Sequence, residues 1–233
     1  NMVVLDANET LLAFSIVRTG PRAQMGAHAA LEDVCKQLNI KKEDFAAIVA
    51  TGYGRNNIPF ATDTRTEITC HARGAHFLNP AVRTIIDTGG QDSKIINLDE
   101  TGHVTGFMLN DKCAAGTGRF LEMMARTLQM KLPEMSELGL DWHNDVTISS
   151  MCTVFAESEV VSLVAQNKEV ADIIHGLNVS VASKVGALAA RLGKDNPGEY
   201  MMTGGVAKNQ GIIQALEEKL GAKLYICDEA QLC

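Results

Sequence analysis

The segment Arg83-Thr-Ile-Ile-Asp-Thr-Gly-Gly-Gln91 constrains this chain more than any other. A short apolar run closing on an acid, a hydroxyl and two glycines reads as a buried strand that ends in a tight loop. Glycine lets backbone approach a phosphate and turn its N–H groups toward it, which marks Thr88, Gly89 and Gly90 as candidates. Asp87 has the chemistry to hold Mg²⁺ through water, because magnesium takes few carboxylates and keeps several waters. Gln91 has the chemistry to orient an attacking water. Alone, such a loop reads first as an ordinary turn. Two more loops shift that balance. Gly116-Thr-Gly118 opens a helix, and Thr203-Gly-Gly-Val-Ala-Lys-Asn209 joins a strand to a helix. Helix N-termini attract anions through free N–H groups and the macrodipole. Three loops of this kind point to bound phosphate. The chain has neither Gly-x-x-x-x-Gly-Lys-Ser/Thr nor a dinucleotide glycine fingerprint, which disfavours a P-loop or Rossmann site.

The surrounding pattern is mixed α/β. Met2–Leu5 and Leu11–Arg18 read as a hairpin around the polar turn Asp6–Glu9. A helix is predicted over Gln24–Leu38, ending at Asn39, then a short strand at Ala46–Ala50 and a helix over Thr66–Phe77. Pro80 marks a lobe boundary, dividing the chain into 1–81 and 82–233. Beyond it, strands at Arg83–Asp87, Ser93–Leu98 and Val104–Leu109 form a meander. A helix is predicted from about Gly116 to Leu128. Apolar residues from Val170 to Leu192 recur at steps of three and four, which is a long amphipathic helix. Tyr200–Thr203, Ala207–Leu220 and Leu224–Cys227 read as a βαβ unit with parallel strands and a right-handed crossover.

Lys plus Arg number 21 against 28 for Asp plus Glu, a net charge of −7. This disfavours nucleic-acid and anionic-membrane binding, both of which need a cationic surface. No uninterrupted apolar run suggests a membrane span, and no signal peptide is visible. Six irregularly spaced cysteines do not form a secreted disulfide framework, so a cytoplasmic setting is expected. Cys35, Cys70, Cys227 and Cys233 sit in apolar contexts and read as small core residues. Cys113 and Cys152 instead each read as one step before a helix, where the dipole favours thiolate. From the residues alone, a metal ligand and an inert thiol both remain open for these two. The histidines at 71 and 76 read as packing or capping residues.

Ile86-Asp-Thr-Gly-Gly-Gln-Asp-Ser-Lys94, Asn110-Asp-Lys-Cys-Ala-Ala-Gly-Thr-Gly-Arg-Phe-Leu-Glu122, Cys152-Thr-Val-Phe-Ala-Glu-Ser-Glu159 and Thr203–Asn209 resemble the ATP-dependent activators of 2-hydroxyacyl-CoA dehydratases and the related ATPase subunits of benzoyl-CoA reductase. Thr51-Gly-Tyr-Gly-Arg55 and Glu67-Ile-Thr-Cys-His-Ala-Arg-Gly74 fit as well, so the likeness spans nearly the whole chain. It implies the actin-like ATPase fold of acetate and sugar kinases, heat-shock chaperones and actin, with two lobes, each a mixed sheet flanked by helices. It makes the Asp87 loop a phosphate motif and Gly204, Gly205, Val206 and Asn209 an adenosine motif, with Gly116, Thr117, Gly118 and Glu122 also against the nucleotide. The family's opening Asp-x-Gly-Ser-Thr-Thr strand and its closing helix are not seen here, and a fragment of a slightly longer protein is expected.

The resemblance also implies ATP/ADP, Mg²⁺ and one 4Fe–4S cluster shared by a homodimer. A cubane takes four thiolates, and Cys113 and Cys152 from each of two chains supply them. The expected activity is ATP hydrolysis coupled to delivery of a low-potential electron to a 2-hydroxyacyl-CoA dehydratase, with ferredoxin or flavodoxin as electron source. Lobe closure around the nucleotide is the expected coupling motion. The alternatives are a benzoyl-CoA-reductase-type ATPase subunit, a small-molecule kinase on the same fold, and a nucleotide-dependent binding module.

Overall fold

The computed structural model describes residues 1–17, 20, 22–110, 112–149, 152–192, 198–228 and 230. The chain separates into two compact units, one covering Asn1–His71 and the other running from Ala72 onward.

In the first unit, β1 (Met2–Leu5) pairs antiparallel with β2 (Leu11–Ser15). The predicted turn between them is held by Asp6, whose carboxylate accepts the amides of Asn8 and Thr10, each at 2.8 Å. Arg18, the predicted end of the second strand, lies outside the described residues. Helix α1 (Ala23–Leu38) ends where Asn39 adopts φ 53°, a conformation that asparagine tolerates. Val34 of α1 packs with Val4 and Ala13 in a small core. The predicted strand at 46–50 is shorter: β3 (Val49–Ala50) runs parallel to β4 (Asp63–Thr64). Helix α2 (Glu67–Leu78) contains the division between the units.

The second unit is built on one five-stranded sheet. The meander β5 (Val82–Thr88), β6 (Ser93–Leu98) and β7 (Val104–Asn110) is antiparallel, as its two glycine turns predict. Helix α3 (Gly118–Thr127) starts later than predicted, because Gly116 at φ +91° cannot be helical. Next come α4 (Leu132–Leu138), for which the sequence reading has no element, and α5 (Thr153–Ala165). Helix α6 (Val170–Leu192) matches the periodic stretch from end to end. Strand β8 (Glu199–Thr203) lies parallel to β5, helix α7 (Gln210–Leu220) follows, and β9 (Leu224–Tyr225) lies parallel to β8. The βαβ unit is therefore present, and the sheet order is β7-β6-β5-β8-β9.

Asn209 shortens the last helix. It closes a 3₁₀ turn at Gly205–Lys208 and caps α7, its side chain accepting the Ile212 amide at 3.1 Å. The main core joins Ile86 and Ile95 of the sheet to Phe120, Met124, Ile174 and Leu177 on the helices. Helix α6 is long and apolar enough to cross a membrane, which the sequence reading did not register. Of its most apolar stretch, however, 67% is buried in this core.

Candidate functional site

The second unit gathers the three glycine loops at the ends of β5 and β8. Asp87 and Thr88 finish β5 fully covered, at 4% and 0% exposure. The Asp87 carboxylate accepts Thr203 Oγ1 at 3.2 Å and faces Lys94 Nζ at 3.3 Å, while Asp92 holds the same ammonium at 2.8 Å. Burial opposes the Lys94 charge, but Asp92 and Asp87 outweigh it and raise that lysine above its usual range. The Thr88 hydroxyl is buried with no partner among the described residues. Two hard oxygen donors, one of them orphaned, fit a magnesium ion held partly through water.

Gly204 explains why the third loop needs glycine. Its φ is +86°, and a Cβ there would lie 2.4 Å from the Thr88 carbonyl oxygen. The α3 loop is docked in another way. Gly118 N–H donates to Gly89 O and Arg119 N–H to Gly90 O, both at 2.9 Å. Ser93 Oγ donates to Gly116 O at 2.9 Å. Two amides expected to face an anion are thus committed to the neighbouring loop, and what Gly118 supplies is close approach: its Cβ would sit 3.2 Å from the Gly90 Cα.

Between these loops lies a cavity of about 460 Å³, within the range of small-ligand sites. Gly89, Gly90, Gly118, Glu122, Gly205, Val206 and Asn209 line it. Asp87, Thr88, Thr117, Gly116 and Gly204 are not in that lining and support the loops from behind, while Gln91 is exposed. The sequence reading missed the opposite wall, formed by Leu121 of α3 and by Leu132, Pro133 and Ser136 of α4. Pro133 in the first turn, with Glu134 accepting the Lys131 amide at 2.9 Å, was the available signal for that helix. Glu122 also pairs with Arg119 at 2.6 Å. A hollow of about 430 Å³ at the end of α7 is open, lined by charged residues such as Glu217 and Lys223, and receives none of these loops.

Cys113 and Cys152 are both exposed, whereas Cys35, Cys70 and Cys227 are half-buried. Cys233 lies outside the described residues. Cys152 is the N-cap of α5, as expected. Cys113 is not one step ahead of a helix: Thr117 caps α3, and a turn precedes it. Helices α3 and α5 are joined where Thr127 Oγ1 at the end of α3 donates to Glu157 of α5 at 3.1 Å. The segment ahead of Cys152 is pinned by Glu159, which accepts the Ser149 amide and hydroxyl, each at 2.9 Å.

Lys184 of α6 completes the neighbourhood. Burial holds its ammonium below the usual lysine range, and electrostatic attraction to Cys113 and Cys152 opposes this only in part. Its Nζ is buried with no hydrogen-bond partner among the described residues and stands 5.2 Å from the Phe120 ring centroid. Desolvating an ammonium costs several kcal/mol, while a ring face returns about 2 kcal/mol at best. Two exposed thiols per chain are half of the four soft ligands that an iron–sulfur cubane takes.

In the first unit, the other two motif segments meet as well. Arg55 donates to Gly52 O at 3.0 Å and pairs with Glu67 at 3.5 Å.

A family model for the BadF/BadG/BcrA/BcrD ATPases matches residues 3–231. The chain belongs to that family. It is 46% identical over 232 residues to the (R)-2-hydroxyglutaryl-CoA dehydratase activating ATPase of Acidaminococcus fermentans, covering 98% of this chain and 87% of that protein. It is 45% identical to the activator of lactoyl-CoA dehydratase of Anaerotignum propionicum, covering 98% of this chain and 87% of that protein. The solved activator of the 2-hydroxyisocaproyl-CoA dehydratase from Clostridium difficile, with bound ADPNP, superimposes with a TM-score of 0.91 at 40% identity, covering 99% of this chain and 85% of that one. A benzoyl-CoA reductase component of Thauera aromatica is further away, at 31% over 83% of this chain and 68% of that protein. The fold is accordingly that of the actin-like ATPases.

Proposed function

We propose that this protein is an ATP-hydrolysing activator that delivers a low-potential electron to a 2-hydroxyacyl-CoA dehydratase. One observation supports this reading above the others. The loop that rims the nucleotide cavity at Gly118 is the same loop that carries Cys113, and Gly116 within it rests on Lys184. In this reading ATP places its phosphates against Gly89, Gly90 and Gly118 and its adenosine against Gly205, Val206 and Asn209, with Leu132 and Pro133 as the apolar wall. Asp87 and Thr88 hold Mg²⁺ through water, and Gln91 orients the attacking water.

Among the described residues, no three His, Cys, Asp or Glu side chains gather to hold a metal within one chain. A 4Fe–4S cluster bound by Cys113 and Cys152 of two subunits would supply the one-electron chemistry, with reduced ferredoxin or flavodoxin as its source. A benzoyl-CoA-reductase-type role has less support, because that relative is less similar than the dehydratase activators.

The test is anaerobic purification followed by assay with a 2-hydroxyacyl-CoA dehydratase. About four irons per dimer and activation that requires both ATP and a reductant are expected. C113A and C152A should each lose iron and activation while retaining ADP binding. Iron-free anaerobic protein that transfers phosphate to a sugar or acyl acid would replace this reading with a kinase.

A further inference from the structure

Asn178 of α6 is fully buried, and neither Oδ1 nor Nδ2 has a hydrogen-bond partner among the described residues. Buried side-chain amides are nearly always paired, and an unpaired one costs stability that a hydrocarbon of similar shape would not. The surroundings are cut to this side chain. A Cβ on Gly211, in the first turn of α7, would collide with Asn178 Nδ2, and one on Gly139, which closes α4, would meet it at 3.1 Å. The carboxamide thus fills the notch where α4 and α7 come against α6. Both of those helices wall the nucleotide cavity, α4 through Ser136 and α7 through its cap Asn209. Asn209 Oδ1 borders the same Gly211 position, at 3.4 Å, and accepts the Ile212 amide at 3.1 Å. With that oxygen turned to the helix, what Asn209 has left for a ligand is its NH₂, a donor.

We propose that Asn178 is a positioning residue for the nucleotide: its carboxamide spaces α4 from α7 and holds Asn209 so that the NH₂ is presented to the nucleoside. This rests on the reading above, in which adenosine lies against Gly205, Val206 and Asn209. The positive Nδ2 end of Asn178 and the negative Oδ1 of Asn209 flank Gly211, and in a dry interior such dipoles act strongly on each other. A leucine at 178 would fill the notch but exert no such pull. A buried amide that costs stability, where an apolar residue would add it, marks a side chain that serves a site rather than the core.

The experiment measures ADP binding by calorimetry and thermal unfolding without nucleotide, on anaerobically prepared protein. N178L is expected to unfold at or above the wild-type temperature and to bind ADP about tenfold more weakly. N178A is the second variant if leucine overfills the notch; it should lose stability and show the same weakening. I96V trims a buried side chain of β6 outside the core cluster that α4, α6 and α7 share, and should lose stability while binding ADP as wild type does. ADP affinity within about twofold of wild type in both variants at 178 would overturn the proposal. Equal weakening in I96V would also overturn it, assigning the effect to stability alone. Action through Asn209 is read from N209S, which keeps a helix cap and drops the NH₂. The double variant N178L/N209S should bind ADP no more weakly than N209S alone, and additive losses would sink the route through Asn209. Wild type that binds no ADP would instead refute the nucleotide reading itself.

Discussion

Gly204 concentrates in one residue what the nucleotide loops require. Its positive φ and the 2.4 Å approach of any Cβ to Thr88 O leave no room for a side chain. Backbone strain of this kind costs on the order of 1–3 kcal/mol, and here the displaced atoms belong to the loop itself. G204A is expected to lower the unfolding temperature and to lose most of the further stabilisation that ADP confers. Differential scanning fluorimetry with and without ADP measures both. Gly205, beside it, has open space where a Cβ would go, so G205A should leave the stability of the unliganded protein almost unchanged. The acid–hydroxyl–glycine run was legible because it names its own chemistry. The committed amides of Gly118 and Arg119 were not, since their acceptors belong to a loop far away in sequence.

Among the elements, α5 shows how a helix start is set from outside itself. Cys152 caps it without any side-chain hydrogen bond, and the chain ahead of it is held by Glu159 instead. E159A should cost roughly 1 kcal/mol of stability, typical of lost hydrogen bonds, and, if Cys152 binds iron as proposed, should release it to a chelator faster than wild type. Asp172 plays a similar role on α6, accepting the amides of His143 at 2.7 Å and Asn144 at 3.0 Å. Those bonds hold its carboxyl below the usual aspartate range. A folded-state pKa below the unfolded one stabilises above the unfolded value, and that stability is lost as pH falls through the folded one. The thermal advantage of wild type over D172N should therefore shrink as pH falls from about 5 to about 3. Helix α6 could be read from sequence because twenty-three residues repeat one apolar face. Helix α4 was missed because seven residues hold too few turns to show a period.

For the whole molecule, if two chains share one cluster as proposed, assembly and metal content become one equilibrium. A ligand bound only by the dimer stabilises the dimer, so chelating the iron should raise the fraction of monomer at a given concentration. If two copies of Cys152 meet on a two-fold axis, the first turn of α5 lies at that interface. Phe155, there, is 68% exposed in the single chain. F155D should weaken dimerisation in sedimentation velocity while ADP still binds. The sequence by itself determined the mixed sheet, the long core helix, the phosphate-loop chemistry and the two cysteines that stand apart from the rest, because each is written in local residue type and period. Only the tertiary structure decided that α4 walls the nucleotide cavity, that Cys113 precedes a turn rather than a helix, and that the Lys184 ammonium is buried without a hydrogen-bond partner among the described residues. Those facts depend on contacts between segments distant in the chain, which no local pattern encodes.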